Sequence, residues 1–164
     1  MAGNKKPRKK HRPMPVTGNP LVYLQPLDRA EISRSVTAYH CALDQIKHGK
    51  HPGEKEWRDL ADMVNMVEVM ATGTHKYLPE KEVMPDVITA TTAMAEAAKR
   101  WMQGKGLALS GPGLMAVGEV LSFYMQTLEF LTGADIERVK AELRLKYRKA
   151  IAGEYRNDER VVII

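Results

Sequence analysis

The residues of this chain best suited to chemistry stand close to its start. Residues 5–12 read KKPRKKHR, six lysines and arginines and one histidine in eight positions, and the first acidic residue is Asp28. Lys5, Lys6, Arg8, Lys9, Lys10 and Arg12 carry the charge to pair with phosphates and to release the counterions condensed on a nucleic acid. Contacts of that kind fix position without reading base sequence, and they weaken steeply with salt. In a eukaryotic cell the same string would pass as a nuclear localisation signal. It is equally compatible with a solvated tail that carries no specific function.

Other reactive residue types are sparse and poorly spaced. His40, Cys41 and Asp44 suggest a nucleophile, but neighbours on a helix point about 100° apart, so His40 and Cys41 do not face each other. A buried structural thiol is the expectation for Cys41. His48 and His51 flank a Gly-Lys pair, yet zinc needs about four ligands in close pairs and the chain has a single cysteine. Glu68 shares a helix face with Trp57, Ala61 and Val64; if buried it needs a partner such as Arg100, or its pKa rises. No second acid stands at a defined spacing from it. The run GKGLALSGPG at 104–113 lacks the Gly-Lys-Ser/Thr of a phosphate-binding loop. Neither glycine turn, at Gly49 or Gly73, introduces a convincing DNA-recognition helix. No catalytic residue, metal or cofactor is therefore expected.

Two further stripes bear on partners. Lys140, Arg144 and Arg148 form a basic outer face on the last helix, read first as a solvated surface and second as a subsidiary phosphate contact. Met63, Met66 and Met70 repeat at helical spacing. They serve either as core or, if one apolar stripe of the bundle stays open, as a groove for a protein partner or a homodimer.

Composition sets the frame for these residues. The chain has 164 residues, one domain's length, and its hydrophobic content of 44% is enough for a sizeable core. The net charge of +5 is misleading as a global figure, because outside residues 5–12 there remain 19 Lys and Arg against 20 Asp and Glu. The body is neutral, and the positive charge belongs to the arm. A single cysteine forbids an intrachain disulfide and fits a reducing compartment. The basic start lacks the apolar segment of a secretion signal. The stretch 113–131 holds Glu119 and Glu129, which disfavours a membrane span and favours a buried helix.

The elements that must position these residues are helices. Pro7, Pro13, Pro15, Pro20 and Pro26 forbid a helix in residues 1–27, read as a disordered arm whose Leu21, Val22, Tyr23 and Leu24 could dock on the body. Asp28 with Glu31 opens a helix that Gly49 closes. A second, central helix runs from about Gly53 to Ala71, with Arg58, Asp62 and Asn65 as its narrow polar strip. A third runs from about Pro85 to Gln103, and its small-residue run ATTAMAEAA admits a close neighbour. A fourth begins near Ser110 and runs to Leu131, with Glu119, Ser122, Gln126 and Glu129 outward. Thr132 with Asp135 caps a fifth, on which Glu142 and Lys146 form an i, i+4 pair. Residues 153–164 form a charged tail that ends in Val161, Val162, Ile163 and Ile164. Apart from those last four residues, which could pack as a short strand, no strand pattern appears, and there is no repeat of 20–50 residues. The fold class is all-α, an antiparallel bundle of four to five helices over residues 28–152.

The layout of a Pro-broken basic start, EWRDLADMVNMVEVMATG, a helix ending RWMQGKG and a last helix DIERVKAELRLKYRKA resembles small uncharacterised all-helical proteins encoded by phages and prophages of proteobacteria. The likeness covers about residues 5–150. It implies a bacterial cytoplasm and a phage-related role, and it brings no activity and no functional residues. The expectation is a non-catalytic accessory or regulatory protein whose arm contacts nucleic acid. The alternative is a protein-interaction module, an adaptor or inhibitor of a host protein, with the arm incidental.

Overall fold

Helix boundaries follow capping chemistry. The computed structural model describes residues 24–49 and 53–152, which form five helices and no strand. Helix α1, Arg29–His48, is capped by Asp28, whose carboxylate accepts from the Ala30 N–H at 3.3 Å. It stops at Gly49, where φ is +63°, a left-handed angle that glycine adopts without a Cβ penalty. Helix α2, Glu54–Thr72, begins with Glu56 reaching back to the Gly53 N–H at 2.8 Å. Helix α4, Gly111–Leu128, is capped by Ser110, and α5, Gly133–Ile151, by Thr132.

Helix α3 spans Glu80–Met102 and starts well before the expected Pro85. Proline inside a helix removes one intrahelical donor, which would here have served the Lys81 carbonyl. Lys81 lies on the exposed side, where water can take over that acceptor. Glu80 and Glu82 favour the positive end of the helix dipole, and buried Val83 anchors the first turn.

The first four helices close a ring, α1 on α2, α2 on α3, α3 on α4 and α4 on α1, with α2 also touching α4 across the centre. Trp57, early in α2, donates its indole N–H to the Met94 carbonyl, late in α3, at 3.1 Å. That register makes the pair antiparallel. Leu27, before α1, reaches the Leu131 carbonyl beyond α4, so these two are antiparallel as well. The expected close neighbour of the small-residue run is α4: a Cβ on Gly113 would collide with the Cβ of Ala93.

Helix α2 is the axis of the fold. Residues 63–70 are all buried, because every other helix packs on α2. Asn65, read as part of a polar strip, is only 1% exposed. On α4 the anticipated strip of Glu119, Ser122, Gln126 and Glu129 is exposed.

Residues 25–27, assigned to the arm in the sequence, lie against the body. Pro26 bridges to Thr132, and since proline has no N–H the flanking groups make the bonds. Leu27 N–H donates to the Leu131 carbonyl, and Gly133 N–H donates to that of Gln25, each at 3.4 Å. Leu24 is 63% exposed, so it does not dock. No helix among the described residues is long and apolar enough to cross a membrane.

Candidate functional site at the basic helix and its seam

Helix α5 carries the basic stripe, and it rests on α2 alone among the helices. Its start is fixed by a reciprocal capping box. The Asp135 N–H donates to the Thr132 hydroxyl oxygen at 3.3 Å, and the Thr132 N–H donates to Asp135 Oδ2 at 3.0 Å. The other Asp135 oxygen accepts from the Tyr77 hydroxyl at 3.0 Å and from Arg138 at 2.8 Å. Burial alone would push this carboxyl up, but the donors of Thr132 and Tyr77 and the Arg138 charge outweigh it and hold it below its ordinary value. Burial and the bond to Asp135 push the Tyr77 hydroxyl up.

Further along, polar pairs form a ladder beside Ile136, Val139 and Leu143. Glu142 accepts from the Thr74 N–H at 3.1 Å and from the Thr74 hydroxyl at 3.3 Å. Lys146 donates to Glu68 Oε1 at 3.4 Å. The Tyr147 hydroxyl donates to Asp62 at 2.9 Å and accepts from Asn65 at 3.0 Å. Burial raises the Tyr147 pKa, and the Asp62 acceptor raises it further.

Glu68 is buried, and among the described residues the cation that pairs with it is Lys146 rather than Arg100. The antiparallel register places the end of α3 beside the start of α2, far from Glu68. Arg100 instead donates to the Ala108 carbonyl of the following loop. The expected Glu142–Lys146 pair gives way to two cross-helix contacts, with Thr74 and with Glu68. Such a seam sets the register of a helix: the ammonium neutralises the carboxylate in place. Tyr147 belongs to the inner face that the spacing of α5 predicts, but its bonds to Asp62 and Asn65, the role of Thr74 and the inward turn of Asn65 escaped sequence reasoning. Asn65 sits three residues from Asp62 in the same polar strip, which was the available signal.

The outward stripe is uneven. Arg144 and Arg148 are exposed, whereas Lys140 is half-buried and pairs with Glu137 at 3.0 Å. Lys5, Lys6, Arg8, Lys9, Lys10, Arg12 and the Val161–Ile164 tail lie outside the described residues.

The partner-groove reading of the methionine stripe is corrected. Met63 and Met70 are 0% exposed and Met66 is 6% exposed, because α1, α3, α4 and α5 all pack on α2. Cys41 is exposed rather than buried, since α1 turns Ala42 and Ile46 inward and Cys41 outward. His40 is exposed too, and His48 contacts Asp44 at 3.1 Å within its own helix. Among the described residues no three His, Cys, Asp or Glu side chains are grouped to hold a metal; His51 lies outside them.

No protein family, curated protein or solved structure matches this chain.

Proposed function

We propose that this chain is a non-catalytic, phage-type accessory or regulatory protein of the bacterial cytoplasm that contacts nucleic acid through its basic arm. The observation that carries the reading is the segregation of charge. Six cations occupy residues 5–12, while the rest of the chain holds 19 Lys and Arg against 20 Asp and Glu. A neutral body with a cationic arm suits a carrier whose affinity comes from phosphate pairing. Arg144 and Arg148 offer a second, weaker contact on the exposed side of α5.

The test is fluorescence anisotropy with labelled double-stranded DNA, single-stranded DNA and RNA. The full chain is compared with a full-length variant in which Lys5, Lys6, Arg8, Lys9, Lys10 and Arg12 are serine. Binding should appear in the unaltered chain alone. With all six cations on phosphates, affinity should fall about 10³-fold between about 50 and about 200 mM salt. Absence of binding by both chains would overturn the reading.

A second reading, a protein-interaction module, gains from Phe130, which is 83% exposed at the rim of a groove that also includes Leu27, Val36 and Met125. A partner held there should be lost on Phe130→Asp and kept when the arm is neutralised.

A further inference from the structure

The N-terminal half of α1 stands off the bundle. No residue from Arg29 to Cys41 is buried, and Ile32, Val36 and Tyr39 are only half-buried. Helices α1 and α5 both pack on α2 without touching each other. Between them lies a cleft of about 520 Å³. Met66 of α2, Tyr124 and Leu128 of α4 and Ile136 of α5 line its interior. Arg34, Ser35 and Glu31 of α1 and Lys140 of α5 line it from the two flanking helices.

We propose that this cleft binds a small amphipathic carboxylate, an aliphatic or aromatic body with one anionic head. Its volume lies within the range of small-molecule sites, roughly 300–1,000 Å³. The interior is aliphatic apart from the tyrosine pair, so it selects an apolar body. Covering it recovers hydrophobic free energy that the standing-off helix leaves unused. Of the two cations at the cleft, Lys140 is paired with Glu137, and Arg34 is bonded only to a backbone carbonyl among the described residues, so Arg34 is the charge that selects an anionic head. Arg34 is exposed, and its Nε is engaged only with the carbonyl of its own turn, at Ala30, 3.2 Å away. Lys140 lies at the cleft and pairs with Glu137 of its own helix at 3.0 Å. The same charges disfavour the chain's own basic arm as occupant.

The tyrosines add a neutral donor. The rings of Tyr39 and Tyr124 meet edge to face at 5.4 Å. Burial pushes both hydroxyls up, so both stay protonated at neutral pH.

The proposal is independent of nucleic-acid binding, and its test uses the full-length chain. Isothermal titration with decanoate is compared with 1-decanol and decyltrimethylammonium, all below micelle-forming concentrations. Decanoate should bind most tightly. Arg34→Gln with Lys140→Gln should weaken it by about tenfold or more, as expected for losing charge-assisted contacts. Ser35→Trp, which puts bulk at the cleft wall from an exposed position, should abolish it. Neutralising residues 5–12 should leave it unchanged. Unchanged thermal unfolding of each variant confirms that the fold survives. Failure of decanoate to bind, equal binding of the cationic analogue, or binding lost only with the arm's charge would overturn the proposal.

Discussion

The Tyr147 hydroxyl of α5 lies 2.9 Å from Asp62 Oδ1 of α2 and donates to it, while accepting from Asn65 one turn further along α2. One oxygen therefore locks the register of the fifth helix on the central one. Tyr147→Phe removes the acceptor from Asn65 and the donor from Asp62 with almost no change of volume. Hydrogen bonds to charged groups contribute about 1.5–3 kcal/mol, and partial exposure of Asp62 reduces this. A loss of about 1–2 kcal/mol is expected in urea denaturation. An unchanged midpoint would mean that the apolar contacts of Ile136, Val139 and Leu143 hold α5 unaided.

The Glu68–Lys146 pair predicts non-additivity. The side chains are 8% and 19% exposed, so each charge offsets part of the other's lost solvation. Glu68→Gln alone and Lys146→Met alone should each cost about 1–3 kcal/mol, below the fully buried range because Lys146 keeps some contact with water. The double variant should cost clearly less than their sum. A double-mutant cycle by denaturation measures this directly, and strict additivity would show that the two charges are satisfied independently.

Two glycines of α4 should respond in opposite senses to the same substitution. Gly113→Ala places a methyl group against Ala93, so it should destabilise by about 1–3 kcal/mol through overpacking. Gly118 has open space at its Cβ position and lies mid-helix. Gly118→Ala should stabilise by about 0.5–1 kcal/mol by lowering the entropy lost on folding. Thermal unfolding of the two variants and the parent is sufficient. Equal effects would place the close approach of α3 and α4 elsewhere.

The elements most legible in the sequence were those with their own chemical punctuation. Asp28, Ser110 and Thr132 each cap a helix, because an N-cap oxygen satisfies donors within a few residues of itself. The all-round burial of residues 63–71 in α2 was foreshadowed by its narrow polar strip. What the sequence concealed depended on partners distant along the chain. Lys146 lies 78 positions from Glu68, and a local i, i+4 rule assigned it to Glu142 instead. Pro85 misplaced the start of α3, because proline marks the first turn only when no upstream residue can nucleate the helix. Cys41 was misjudged because cysteine is commonly buried, whereas the phase of α1 is set by Ala42 and Ile46.

Asp135 makes the stability of the α5 start depend on pH. Its carboxyl is held below the ordinary 3.8 by the Thr132 donors, the Tyr77 hydroxyl and the Arg138 charge, against the opposing effect of burial. A carboxylate whose folded pKa is depressed contributes its full stabilisation above the unfolded value. It loses that stabilisation as pH falls through the folded value. Asp135→Asn should therefore be less stable than the parent at pH 7, by about 1–2 kcal/mol, from the lost charge-assisted bonds and the lost interaction with the helix dipole. The gap should hold down to about pH 4 and close below it, as the parent's own carboxyl takes up a proton. Other acids titrate in the same range, so the informative quantity is the difference between the two stability curves, measured by urea denaturation from pH 2.5 (approximately) to pH 7. A gap that stays constant to the lowest pH would show that Asp135 acts there through shape and neutral hydrogen bonding rather than through its charge.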